Sequence, residues 1–331
     1  MHLPELPTCF TTADALKAGL TEARLTRAVA RGRLVRVRRG VYRLPGQSAP
    51  HERGTHHVAL LGAVLADRDD TVAASHLSAA AVWGLPLPLG GVHEVHLLRL
   101  RGADRTRVTT GRVRVHHADS VEPSLDSVAG VLVTSAARTV ADCLVSFPPR
   151  VSVPVADAAL HRGLTRPGQV ADVLSEMRHW TGRRRFAAVS VPLVDGRRES
   201  WLESYAAVLF DEWGLDPAVP QLVVVDAEGR FVARVDGGWP GQATVLELDG
   251  KAKYALPGTD GAVQPERRWD EEKARYDRLG NLGLERVRFG LDDLLHRGGG
   301  VRSEVTARRR TGSAVRFTGC FQEVPSLRLP L

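Results

Sequence analysis

The stretch Ala18–Gly46, AGLTEARLTRAVARGRLVRVRRGVYRLPG, has a compact pattern of caps, stops and apolar positions. Just upstream, Thr12 can cap a short helix running through Ala18, with Gly19 as its stop. Thr21 can then cap a second helix to Arg31, ended by Gly32; a hydroxyl before an apolar-periodic run and a glycine after it mark helix ends. Leu34, Val35 and Val37, then Val41 and Tyr42, flank Arg38-Arg39-Gly40 as two short strands of a hairpin. Helix, turn, helix, wing is the predicted order.

The second helix has two faces. Leu25, Ala28 and Val29 fall on one, while Arg24, Arg27 and Arg31 recur at i, i+3 and i+7 on the other. Arg24, Arg27, Arg31, Arg33, Arg36, Arg38, Arg39 and Arg43 place eight arginines within twenty residues with no acid among them. Such density beside a capped helix suits phosphate contact and insertion into the major groove of double-stranded DNA. The competing reading is an arginine-rich surface in a chain that uses arginine almost everywhere, its lysines being Lys17, Lys251, Lys253 and Lys273. That bias does not account for the missing acids. The stretch resembles the winged helix-turn-helix that opens AbiEi-type antitoxins, and the likeness continues more weakly through ASHLSAAAVWGLPLP, TSAARTVADC and DAALHRGL. The resemblance implies DNA binding, usually at the protein's own operator, and a toxin partner. It names no catalytic residue. A palindromic operator would suit a homodimer.

Around this module, 331 residues leave room for two or three domains. A composition of 43% hydrophobic and 25% charged residues predicts ordinary globular domains. Cys9, Cys143 and Cys320 are too few and too scattered for a disulfide framework or metal cluster, so a reducing cytoplasm is expected. The opening MHLPELPTCF does not read as a signal peptide. The longest uncharged stretch, Thr71 to Val92, is interrupted by His76, Gly84, Pro86 and Pro88, so no membrane association is expected. Residues 1–44 carry nine basic and three acidic side chains, and residues 296–331 carry seven Arg and two Glu. The formal +7 is therefore +6 at one end, +5 at the other and −4 between. Basic ends on an acidic body point to a polyanion partner for the ends.

Residues 53–185 alternate helical runs (His57–Asp67, Ser75–Trp83, Ala136–Leu144, Val155–Gly163, Gly168–Arg178) with strand-like pieces at Val92–Leu98 and Val113–His117. This reads as an α+β connector domain. Ser75-His76 and His116-His117 invite a catalytic or metal interpretation, but no Cys or carboxylate stands at ligand spacing, which favours a core or cap role. Arg183-Arg184-Arg185 and Asp195-Gly196-Arg197-Arg198 look like a linker.

After Ser200 the pattern changes. A helix from Trp201 to Trp213 precedes a hairpin of Leu222–Val225 and Phe231–Val235, a third strand Thr244–Leu248, a charged helix Asp270–Leu282, a strand Glu285–Phe289 and a short helix Leu291–Leu295. Asp236 ends the second strand; Glu247 and Asp249, two apart on the third, project from one face. Three carboxylates can then converge at a sheet edge, an oxygen-only donor set suited to Mg²⁺ or Mn²⁺. Lys251 and Lys253 follow directly and could orient an attacking water.

The segment GRFVARVDGGWPGQATVLELDGKAKY resembles the core of the PD-(D/E)XK nuclease superfamily, nearest the group related to very-short-patch-repair endonucleases. The likeness spans about Glu199 to Leu295 and implies a metal-dependent DNA endonuclease, with Glu203 in SWLESY and Gln221 in VPQLVV joining the site. Asp249 stands where the motif usually has lysine, so Lys251 or Lys253 would have to substitute. Three plainer readings remain. Ser200-Trp-Leu-Glu203 is also a capping box, Asp249-Gly250 also a turn signal, and Arg275 and Arg278 fit either a DNA backbone or a solvated face. The fold expectation is a multidomain α/β and α+β chain. It has a winged helix-turn-helix over 1–50, an α+β connector over 51–195, a restriction-endonuclease-like α-β-β-β-α-β-α core over 196–298 and a basic tail over 299–331. The function expected is DNA-binding endonuclease, or alternatively a non-enzymatic antitoxin-like repressor keeping a nuclease-like fold as scaffold.

Overall fold

A computed structural model describes residues 9–38, 40–43, 52–66, 72–100, 112–117, 124–177, 184–249 and 274–330. They fall into two units, Met1–Ser190 with Pro330–Leu331, and Val191–Leu329.

The first unit begins with strand β1 (Cys9–Thr11), helices α1 (Thr12–Lys17) and α2 (Glu22–Ala30), and strands β2 (Val35–Arg38) and β3 (Val41–Arg43). Thr11, one residue before the expected cap, opens α1. Its hydroxyl accepts the Asp14 N–H at 3.2 Å while the Asp14 carboxylate accepts the Thr11 N–H at 2.9 Å. This reciprocal box outcompetes Thr12, which has no acid three residues on to answer it. Thr21 caps α2 as expected, accepting the Arg24 N–H at 3.3 Å. β1, β3 and β2 form an antiparallel sheet in that order. Phe10, Ala15, Leu20, Leu25, Ala28 and Leu34 fill the space between sheet and helices.

The rest of the unit comprises α3 (Glu52–Leu65), β4 (Val72–Ala74), α4 (His76–Val82), β5 (Val95–Arg99), β6 (Val113–His117), β7 (Leu125–Val128), β8 (Val131–Thr134), α5 (Ala136–Ser146), α6 (Pro149–His161), α7 (Pro167–Glu176) and α8 (Arg184–Ser190). A mixed five-stranded sheet runs β6-β5-β4-β8-β7. Leu60, Leu61 and Val64 of α3 pack on Val72, Val95, Leu97, Val113 and Val133.

The second unit contains α9 (Trp201–Glu212), β9 (Val219–Val225), β10 (Phe231–Trp239), β11 (Thr244–Asp249), α10 (residues 274–281), β12 (Glu285–Gly290), α11 (Leu291–His296), α12 (Gly298–Ala314) and β13 (Cys320–Glu323). Its sheet runs β12-β11-β10-β9-β13, with β11 and β12 parallel and the other pairs antiparallel. α10 lies in the connection between the parallel pair, as a parallel crossover requires. Leu222, Val224, Ala233, Val235, Val245, Leu279 and Leu284 form its core. Among the described residues no helix is long and apolar enough to cross a membrane.

Two segments differ from expectation. Asp195-Gly196-Arg197-Arg198 is interior: Asp195 is fully buried, and its carboxylate accepts from Arg197 Nη2 at 2.7 Å, Arg197 Nε at 3.0 Å and Arg328 Nε at 3.2 Å. Pairing lets these charges be buried where a bare linker would expose them. The segment expected to be a basic tail folds as α12 and β13, because Val301, Val305 and Gly312 recur at helical spacing and are buried. A Cβ at Gly312 would lie 1.9 Å from the Gln242 carbonyl oxygen. Gly312→Ala should therefore cost about 3 kcal/mol by urea denaturation, at the upper end of overpacking effects. Gly299→Ala, where nothing lies within 4 Å, should be neutral or slightly stabilising.

Candidate functional site

Two surfaces merit attention, one basic and one acidic. In the first unit Leu25 and Ala28 are buried, anchoring α2 by one side, while Arg24, Arg27 and Arg31 are exposed. Arg33 and Arg36, beyond the helix, are exposed as well. Gly32 at φ 65° and Gly40 at φ 79° supply the left-handed turns that bring helix and strands together in so short a chain. Arg39 and the side chains of Arg38 and Arg43 lie outside the described residues.

The acidic site is built on the sheet of the second unit. Val235 pairs with Leu222, and Gly237 pairs with Pro220 on one side and Leu246 on the other. Gln221, Asp236 and Glu247 therefore share one row across β9, β10 and β11, and Glu247 pairs with Arg288 of β12. The row crosses the middle of the sheet, because β11 lies between β12 and β10, and Asp236 falls inside β10, which extends to Trp239. In-register neighbours point to the same face.

Glu203 comes to this row from the first turn of α9. Its N–H donates to Ser200 Oγ at 3.2 Å, and its Oε2 accepts the Glu199 N–H at 3.1 Å and Gln221 Nε2 at 2.7 Å. One carboxylate thus both closes a helix end and orients the glutamine. Gln221 holds a left-handed φ of 56° within its strand, a local strain of the kind found at working sites. Burial pushes the Glu203 carboxyl above the ordinary carboxylate range, with the nearby Asp236 charge adding to the rise. Glu247 is raised by the same two causes, burial first, against the pull of Arg275 and Arg288. Asp236 therefore stands between two carboxyls that feel its charge. Its Oδ2 accepts the Leu248 N–H at 2.7 Å. Glu203 and Asp236, with Arg198, Phe210, Pro220 and Leu248, line a small open pocket.

Cations already serve part of the row. Arg275 Nη2 donates to Glu247 Oε2 at 2.5 Å, and Arg288 Nη2 donates to Asp249 Oδ2 at 3.0 Å. Among the described residues, Glu247 Oε1 is buried with no hydrogen-bond partner. The structure thus brings together Glu203, Gln221, Asp236 and Glu247, and it places Asp249 against Arg288. Arg278 is exposed on α10; Lys251 and Lys253 lie outside the described residues.

Sequence reasoning did not single out Arg288, Arg286 or Tyr276. Arg288 Nη1 donates to the Tyr276 hydroxyl at 2.6 Å, and the guanidinium carbons of Arg275, Arg286 and Arg288 lie 4.7–5.6 Å from the Tyr276 ring centre. The alternating arginines of ERVRFG on β12 were the available signal.

No curated protein matches the chain. Residues 7–45, the segment containing α1, α2 and the β2–β3 hairpin, match the family described as "Transcriptional regulator, AbiEi antitoxin".

Proposed function

We propose that the protein is a DNA-binding transcriptional regulator similar to the AbiEi antitoxins, with its N-terminal module acting as a winged helix-turn-helix. One observation carries this reading. The segment matching that family is also the one that exposes Arg24, Arg27 and Arg31 along one side of a helix anchored by Leu25 and Ala28. A helix fixed by an apolar face and basic on its outer face can enter the major groove while flanking arginines contact phosphates. The β2–β3 hairpin fits the wing. A protein toxin is the partner this likeness suggests, and a two-fold operator would select a homodimer.

Fluorescence anisotropy with a duplex from upstream of the protein's own gene, alongside a scrambled duplex, tests the reading. Binding should weaken linearly in log–log form as salt rises from about 50 to 200 mM, and the upstream duplex should bind more tightly. Absence of binding to either duplex at the lowest salt would refute it.

A second reading is favoured by the acidic row: phosphodiester hydrolysis in the second unit. The element order α9-β9-β10-β11-α10-β12-α11 supports a restriction-endonuclease-like core, and Glu247 Oε1, buried and unpaired among the described residues, supports a cation site. The donors are all oxygens, which suits Mg²⁺ or Mn²⁺. Asp236 and Glu247, supported by Glu203 and Gln221, would hold the ion, and Arg275 would have to release Glu247 Oε2. When bound, such an ion lowers the pKa of a water and offsets charge on the phosphate. Under this reading, plasmid incubated with the protein and Mg²⁺ is cleaved, and Asp236→Asn and Glu247→Gln each reduce cleavage by about a hundredfold or more. No cleavage by the wild type leaves the acidic row as scaffold and the regulator reading standing alone.

A further inference from the structure

We propose that His76, His96 and His116 form a buried site for one zinc-class divalent transition-metal ion in the first unit. They come from the start of α4, from β5 and from β6, and one donor nitrogen from each lies within 4.8 Å of the others. Among the described residues, no other group of three His, Cys, Asp or Glu gathers its donor atoms this closely.

The geometry is near that of a ligand set. His96 Nδ1 and His116 Nε2 are 3.0 Å apart; two nitrogens bound to a tetrahedral ion at 2.0–2.1 Å would be separated by about 3.3 Å. His76 stacks on His116 with ring centres 3.7 Å apart. Binding requires the His76 ring to turn out of that stack, so that its nitrogen joins the other two around one point. The residue is already unusual: it holds a left-handed φ of 52° while opening a helix. Strain at a side chain carrying a Cβ persists where the surroundings impose it.

The outer contacts fit as well. His76 Nδ1 lies 3.0 Å from Ser75 Oγ and 3.9 Å from Asp142 Oδ2, while Arg138 Nε donates to Asp142 Oδ1 at 3.0 Å. A metal-bound histidine commonly gives its second ring nitrogen to a hydroxyl or carboxylate, which fixes the tautomer and orients the ring. Kept as the ring turns, the Ser75 contact leaves Nε2 as the ligating atom of His76. Phe147 meets His76 and His96 edge-on, at 6.2 and 5.5 Å between ring centres, and adds an apolar wall.

A serine-hydrolase reading does not fit. Ser75 and Asp142 approach the same nitrogen of His76, so the ring cannot pass a proton between them. Imidazole donors select zinc, cobalt or nickel over magnesium or calcium, which separates this site chemically from the acidic row of the second unit. With all three histidines buried, it would be structural, tying α4 to β5 and β6.

The test is metal uptake by the full chain. Protein stripped with a chelator is titrated with Co²⁺ and followed by the visible ligand-field band of the four-coordinate ion; bound Zn²⁺ is then counted by elemental analysis. The expected result is about one ion per chain and a raised thermal midpoint with Zn²⁺. His96→Gln and His116→Gln should each lower occupancy to about a tenth or less, whereas Asp236→Asn with Glu247→Gln should leave the band unchanged. Absence of Co²⁺ and Zn²⁺ uptake by the wild type, which needs no variant to fold, overturns the proposal. So does a band that survives both histidine substitutions or disappears with the acidic pair.

Discussion

Replacing Arg24, Arg27 and Arg31 together by glutamine should weaken duplex binding by about a hundredfold or more at moderate salt. The slope of log K against log salt should flatten by about 3, since each lost phosphate contact removes close to one unit. All three side chains are exposed, so their loss should leave the fold intact. Arg27 Nε also donates to the Ala23 carbonyl at 3.2 Å, a local bond that glutamine can partly replace. The informative comparison is between sequences. If the helix reads bases, the upstream duplex loses more affinity than the scrambled one; if it contacts only phosphates, both fall equally. An unchanged affinity with an unchanged thermal midpoint would remove α2 from the interface.

The largest stability loss is expected from Asp195→Ala. The carboxylate is fully buried, and Arg197, only 7% exposed, depends on it for a forked pair, while Arg328 adds a third contact. Removing one member of a buried pair strands the other's charge and typically costs about 3–5 kcal/mol, read here by urea denaturation of the full chain. Asp195→Ala combined with Arg197→Met should recover part of the loss, because the stranded charge goes as well. A pH signature accompanies this. Burial alone would raise the Asp195 carboxyl, but the hydrogen bonds and charge of Arg197 outweigh it and hold the group below its ordinary 3.8. A carboxyl lowered in the folded state stabilises fully above its unfolded value, and that contribution is lost as pH falls through the folded one. Wild type should therefore lose stability steeply below about pH 4, and Asp195→Asn should show a shallower acid limb.

What was legible in the sequence was whatever a local period could encode. Leu25 and Ala28 against Arg24, Arg27 and Arg31 disclosed both faces of α2, and alternation along β10 and β11 placed Asp236 and Glu247 near each other. Alternation also assigned Asp249 to the face of Glu247, but it could not show that Arg288 of the neighbouring strand would engage that carboxylate. The Asp195 network was hidden for a related reason. Asp-Gly-Arg-Arg reads locally as a turn, and one of its partners, Arg328, lies 133 residues further along the chain. The histidines were seen at His76 and His116 without the sheet register that sets His96 on β5, between β6 and the strand β4 that leads into α4. The arginines at the C-terminal end misled through composition. Arg308 donates to Glu285 at 2.9 Å, while Arg309 pairs with Asp216 and lies over the Trp239 ring. Two members of that basic run are thus engaged within their own unit.

The last strand has a practical side. β13 pairs along β9, whose sequence is VPQLVVV, and so covers what would otherwise be an open strand edge. Any fragment cut at the end of α11 to isolate the acidic row would lay bare a β-branched apolar ribbon with unmatched backbone groups, the template on which chains self-associate. The strand that shields this edge thus lies some seventy residues downstream of the acids themselves, and a fragment that keeps the acids but omits it is expected to aggregate.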